Sequence, residues 1–108
     1  MAGSFDSIRE IIKQYIDTIR AHGISVDKTY LFGSYAHGRA VEGSDIDLAI
    51  ISKDFKGDRF VDRRLIVPMR RNIDLRLEPI PYRPEDFNMN DPLAIEILEN
   101  GIELDLMN

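Results

Sequence analysis

The chain has 108 residues, 44% hydrophobic and 31% charged, with a formal net charge of −5 and no cysteine. That is the composition of a folded globular chain rather than a disordered tail. The missing cysteines exclude disulfides and cysteine-ligated zinc, and the acidic balance works against sequence-independent nucleic-acid binding. No apolar run is long enough to cross a bilayer, and the start MAGSFDSIRE lacks a signal-peptide core. The expectation is a single domain over 1–108, acting in the cytoplasm, with neither membrane nor nucleic acid as partner.

Ile8, Ile11, Ile12, Tyr15, Ile16 and Ile19 form the apolar stripe of an amphipathic helix. Ser7 and Glu10 match a capping box, with Phe5 able to extend the start, and Gly23 suits the C-terminal stop. Residues 28–32 read as a short strand halted by Gly33, followed by a turn over 33–39. Residues 44–51 read as a second strand and 58–67 as a helix that Pro68 ends or kinks. The alternation of 73–78 reads as a third strand, and Pro79, Pro81 and Pro84 then read as a loop. Asp91-Pro92 is an N-cap and first-turn pair for a helix to Asn100, stopped by Gly101, and 102–105 reads as an edge strand. Alternating helices and strands predict an α/β (α+β) fold, a small sheet of about three to five strands flanked by helices. The sequence leaves the strand order open.

The chemistry concentrates in Phe32-Gly33-Ser34 and Asp45-Ile46-Asp47-Leu48. On a strand, residues i and i+2 share a face, so Asp45 and Asp47 project side by side. A like-charge pair at ~4 Å costs about 4 kcal/mol at an effective dielectric near 20, a cost that a cation between them removes. Hard carboxylate oxygens select Mg²⁺, with Mn²⁺ as the alternative, and such ions also take substrate phosphate oxygens. A glycine at the end of a strand lets backbone approach a ligand, and the Ser34 hydroxyl adds a donor for phosphate. A third acid is expected on a neighbouring strand. Asp74 is the first candidate, as metal ligand and base for an acceptor hydroxyl, with Glu78 as the fallback.

The run from Gly33-Ser34-Tyr35-Ala36-His37-Gly38-Arg39 to Ser44-Asp45-Ile46-Asp47-Leu48 resembles the signature of the DNA polymerase β-like nucleotidyltransferase superfamily, and within it the minimal nucleotidyltransferase (MNT) group. The similarity extends from the first helix through the loop 81–87. The resemblance implies a nucleotidyltransferase fold. It assigns Gly33 and Ser34 to phosphate, Asp45 and Asp47 to catalytic Mg²⁺, and the third acid role to Asp74. Arg39 is a candidate nucleotide contact with surface ion pairing as its default. His37 stands where many relatives carry arginine. Tyr35 either packs on the first helix or walls the site.

The MNT resemblance further implies the antitoxin half of a toxin–antitoxin pair, with a HEPN-type toxin as partner. It implies ATP as donor, AMP transfer (AMPylation) to a hydroxyl on the partner protein, and a possible homodimer. Two other readings stand beside it: a binding module that neutralises its partner by covering it, and an enzyme that modifies a hydroxylated antibiotic. Arg59, Arg63, Arg64, Arg70 and Arg71 form a basic cluster, readable as a solvated helix face or as a patch for triphosphate or an acidic partner.

Overall fold

A computed structural model describes residues 5–106. Helix α1 spans Phe5–Ala21, strand β1 Lys28–Phe32, β2 Ile46–Ile51, helix α2 Arg59–Ile66, β3 Leu77–Tyr82, α3 Pro92–Asn100 and β4 Ile102–Leu104. Short 3-10 turns occupy Gly33–Tyr35, Val67–Arg70 and Pro84–Asp86. The strands form one sheet in the order β3-β2-β1-β4. Strand β1 runs antiparallel to β2 and β4, whereas β2 and β3 are parallel.

Period-two alternation sends each strand's side chains to both sheet faces. Ile46, Leu48 and Ile50 of β2 pack with Leu31 and Leu77 against Ile8, Ile12, Tyr15, Ile16 and Ile19 of α1 and Ile66 of α2. The alternate residues Ala49 and Ile51 face the other way, with Tyr30, Tyr82 and the α3 residues Ala94 and Ile97. Helices therefore cover both faces. Tyr15 ties α1 to the end of α2: its buried hydroxyl donates to the Ile66 carbonyl at 2.7 Å, and burial pushes its pKa up. Asp62 is buried, and its carboxylate accepts from the amides of Lys56 (2.9 Å) and Gly57 (3.0 Å), closing the entry to α2.

Several expected boundaries move. Helix α1 is already formed at Phe5, so Ser7 lies inside it rather than capping it. Asp58 caps α2, accepting from Phe60 and Val61, and Pro68 is the second residue of the Val67–Arg70 3-10 turn that continues from α2. The largest correction is the third strand. It runs over Leu77–Tyr82, not 73–78, and contains the two prolines expected to break it. Proline is excluded from the middle of a sheet because it cannot donate, but it is tolerated where its nitrogen faces away from the neighbouring strand. β3 is an edge strand, and Pro79 and Pro81 occupy alternate positions along it. The outward carbonyls of Leu77 and Pro79 accept from Arg70 (2.6 Å) and Arg63 (2.8 Å). Prolines without N–H and arginines over the carbonyls thus blunt an edge that would otherwise invite strand pairing.

Leu48 is fully buried at the centre of the sheet. Leu48→Ala is expected to cost about 2–5 kcal/mol through lost burial and a residual cavity. Tyr15→Phe is expected to cost about 1–3 kcal/mol by orphaning the Ile66 carbonyl. Urea unfolding midpoints at fixed m-value measure both.

Candidate active site

The site lies at the N-terminal end of β2, on the sheet face that carries Ala49 and Ile51. Asp47 is the second residue of the strand and half-buried, while Asp45 stands exposed just before it. The preceding loop is closed by Ser44, whose Oγ accepts from the Val41 amide at 2.8 Å and whose amide donates to the Val41 carbonyl at 2.9 Å.

Asp47 has Phe32 as its register partner on β1 and Glu78 on β3. Parallel pairing puts Glu78 on the same face. Burial first, then the Asp45 carboxylate, then Glu78 push the Asp47 pKa above its usual value. Two further acids, Asp45 just before β2 and Glu78 on β3, therefore act on Asp47.

Asp74 is elsewhere. The expectation that it lies on a strand beside Asp45 and Asp47 is not met, because β3 starts only at Leu77 and Asp74 sits in the loop before it. Both its carboxylate oxygens are held by Arg76: Oδ1 accepts from Nε at 3.0 Å and Oδ2 from Nη2 at 2.8 Å. These bonds hold the Asp74 carboxyl below the usual carboxylate range. Glu78, the fallback for the third acid, stands behind Asp74 on sequence because it abuts Pro79, although 77–82 alternates as well as 73–78 does. The prolines masked that alternation.

The Gly33–Tyr35 turn follows β1 directly. Its amides fold back on themselves: Ala36 and His37 donate to the Gly33 carbonyl (3.1 and 3.2 Å), and Arg39 to the Ser34 carbonyl (2.9 Å). Gly33 has φ +74, and a Cβ there would stand 2.3 Å from Asp47 Oδ2. Only glycine fits, since the left-handed backbone and the carboxylate both exclude a side chain. The turn carrying Ser34 is thus pressed against the central acid. Among the described residues the Ser34 hydroxyl has no hydrogen-bond partner, which leaves its donor available. Tyr35 packs against the core, and its hydroxyl accepts from Arg76 Nη1 at 3.0 Å, so it supports the turn from behind. His37 and Arg39 are exposed.

The arginine cluster divides. Arg70 donates to Glu78 Oε1 at 2.9 Å, and Arg63 lies 3.7 Å from Oε2. Arg59 lies over the Tyr82 ring and Arg64 over Phe60. Arg63 and Arg70 therefore belong to the site's border rather than to a free basic face.

Among the described residues no group of three His, Cys, Asp or Glu stands in metal-holding geometry. The donor chemistry nonetheless suits a divalent cation. Asp45 and Asp47 offer hard oxygens, burial and then the Asp45 and Glu78 carboxylates raise the cost of charge on Asp47, and the glycine contact brings a phosphate-compatible turn alongside.

A raised carboxyl pKa means folding favours protonated Asp47. The stability that this group contributes is complete below its unfolded pKa, about 3.9, and is lost as pH rises through the folded value. Asp47→Asn is therefore expected to melt above the wild-type protein at pH 7 in chelator. The two melting temperatures should converge as pH falls below about 3.9. Calorimetric scans across pH check the sign.

The comparisons with known proteins speak to the family and the fold. Residues 8–104 match the family model for the nucleotidyltransferase domain. A Methanocaldococcus jannaschii protein provisionally named a protein adenylyltransferase is 36% identical over 74 residues, covering 63% of this chain and 50% of that protein. The chain thus aligns with half the length of that relative. A provisionally assigned nucleotidyltransferase from Sulfolobus solfataricus superposes with a TM-score of 0.66 at 16% identity, over 90% of this chain and 78% of that one. A chain of a toxin–antitoxin structure with AMP-PNP superposes at 0.61 and 20% identity, over 88% and 70%. At these identities the two structures speak for the fold. The match over nearly the whole sheet and both its helical layers places this chain in the nucleotidyltransferase domain family.

Proposed function

We propose that this chain transfers a nucleoside monophosphate, AMP from ATP, to a hydroxyl on a partner protein, and that it acts as the antitoxin half of a toxin–antitoxin pair. The observation that carries the reading is the convergence of Asp45, Asp47 and Glu78 beside the Gly33–Ser34 turn. The relative named a protein adenylyltransferase and the toxin–antitoxin structure with AMP-PNP support the donor and the class of acceptor. The MNT resemblance supports a HEPN-type toxin as the partner.

In this reading the acceptor oxygen attacks the α-phosphorus, the bond to the β-phosphate oxygen breaks, and pyrophosphate leaves. Ser34 donates its hydroxyl to a phosphate oxygen, and the glycine lets the turn's backbone come close. Asp45 and Asp47 hold the divalent cation, Mg²⁺ with Mn²⁺ as the alternative. Glu78 takes the third acid role first sought in Asp74 and receives the acceptor proton. When bound, the cation supplies charge neutralisation for the triphosphate and the leaving group. Catalysis is then mostly positioning and electrostatics. Residues 1–108 act as one domain, and the partner, or a second copy of the chain, completes the cleft.

One observation favours a non-catalytic binding module. Arg70 and Arg63 already neutralise Glu78, so one of the three acids is spoken for by the protein itself.

Incubation with α-labelled ATP, Mg²⁺ and the product of the adjacent gene separates the readings. Label is expected on the partner, reduced by about 10²-fold or more in Asp45→Ala, Asp47→Asn and Glu78→Gln. A tight complex that persists in these variants without any label would establish the binding module instead. Label appearing only on an added aminoglycoside would establish a small-molecule acceptor.

A further inference from the structure

We infer that Arg76 is a positioning residue that sets the gap between the phosphate-holding turn and the acid pair. The inference rests on the nucleotide reading above. One residue reaches both halves of the site. Its guanidinium donates through Nη1 to the Tyr35 hydroxyl at 3.0 Å, and Tyr35 is the last residue of the turn that carries Ser34. Its carbonyl accepts from the Ile46 amide at 2.8 Å, and Ile46 lies between Asp45 and Asp47.

The residue itself is held rigid. Asp74 grips the guanidinium through two bonds, and Asp74 Oδ1 also accepts from the Arg76 amide at 2.9 Å. The Asp74 amide in turn donates to the Arg70 carbonyl at 3.0 Å, anchoring the loop to the end of the 3-10 turn that follows α2. A planar fork gripped on one side and donating on the other is a fixed strut. Lysine cannot make all three side-chain bonds in that geometry.

The strut explains why an aspartate with the spacing of a catalytic acid is used otherwise. Asp74 orients Arg76, and Arg76 orients the turn. On the opposite side the gap is limited by the contact between Gly33 and Asp47. The turn is therefore fixed from two directions, by a close approach in front and a hydrogen bond behind. Displacing reacting groups by about 1 Å can cost about 10²-fold in an oriented site, so a brace acting through one hydrogen bond has measurable leverage.

The test titrates MgATP into the protein by calorimetry and records the melting temperature of each variant. Tyr35→Phe keeps the ring and its packing and deletes only the accepting hydroxyl. Tyr35→Phe and Arg76→Lys are each expected to weaken MgATP binding by about five- to tenfold, and the double variant no further than either alone, as for two ends of one strut. Millimolar guanidinium is expected to restore binding to Arg76→Ala, which a general loss of stability would not allow. Wild-type affinity in Tyr35→Phe and Arg76→Lys, additive losses in the double variant, or absence of guanidinium rescue would each overturn the brace while leaving the nucleotide reading in place. Failure of the wild-type protein itself to bind MgATP would overturn that reading and the brace with it.

Discussion

Asp47 carries a negative charge into a half-buried position beside Asp45 and within the field of Glu78. Burial and like charge both raise the cost of ionising it. The surrounding backbone brings the acids together all the same. Parallel pairing of β2 with β3 fixes Glu78 at the level of Asp47, and the chain reversal after β1 presses Gly33 onto the same carboxylate. A protein under selection for stability alone would have no reason to keep three acids there. The arrangement makes physical sense if positive charge arrives with a ligand, and a phosphate-bound cation meets that need beside a turn with an available hydroxyl.

The edge strand β3 links this electrostatic problem to the fold. Its prolines remove outward donors, and Arg63 and Arg70 cover its outward carbonyls. The same two guanidinium groups lie against Glu78. Edge protection and charge compensation are thus done by one pair of side chains on and just after α2. This is why Arg63 and Arg70 are not part of a free basic face. The loop that enters β3 adds the Asp74–Arg76 pair, whose carbonyl and guanidinium touch opposite sides of the site.

The elements themselves were largely legible from local pattern. The α1 stripe and the Asp91–Pro92 start of α3 rest on spacings and caps within a few residues, where periodicity and capping rules apply. Boundaries that depend on neighbours were less secure. Ser7 has the right residue type and spacing for a cap, yet the helix already runs through it. Pro79 and Pro81 signal a break in any strand paired on both sides and none in a strand paired on one. Which of these applies is not written within the segment.

The sequence alone determined that Asp47 points away from the core residues Ile46 and Leu48, because side-chain alternation is a property of the strand itself, and that a glycine–serine turn follows β1; Asp45, expected on the same strand, lies just before it. It also determined the family signature those residues carry. Only the tertiary structure decided which acid joins them. Asp74 and Glu78 alternate alike along the chain, and the choice depends on how far β3 slides against β2, a register set by the packing of Leu77 into the core and by the hydrogen bond from Ile46 to Arg76. Register is a relation between two strands, so neither strand encodes it by itself.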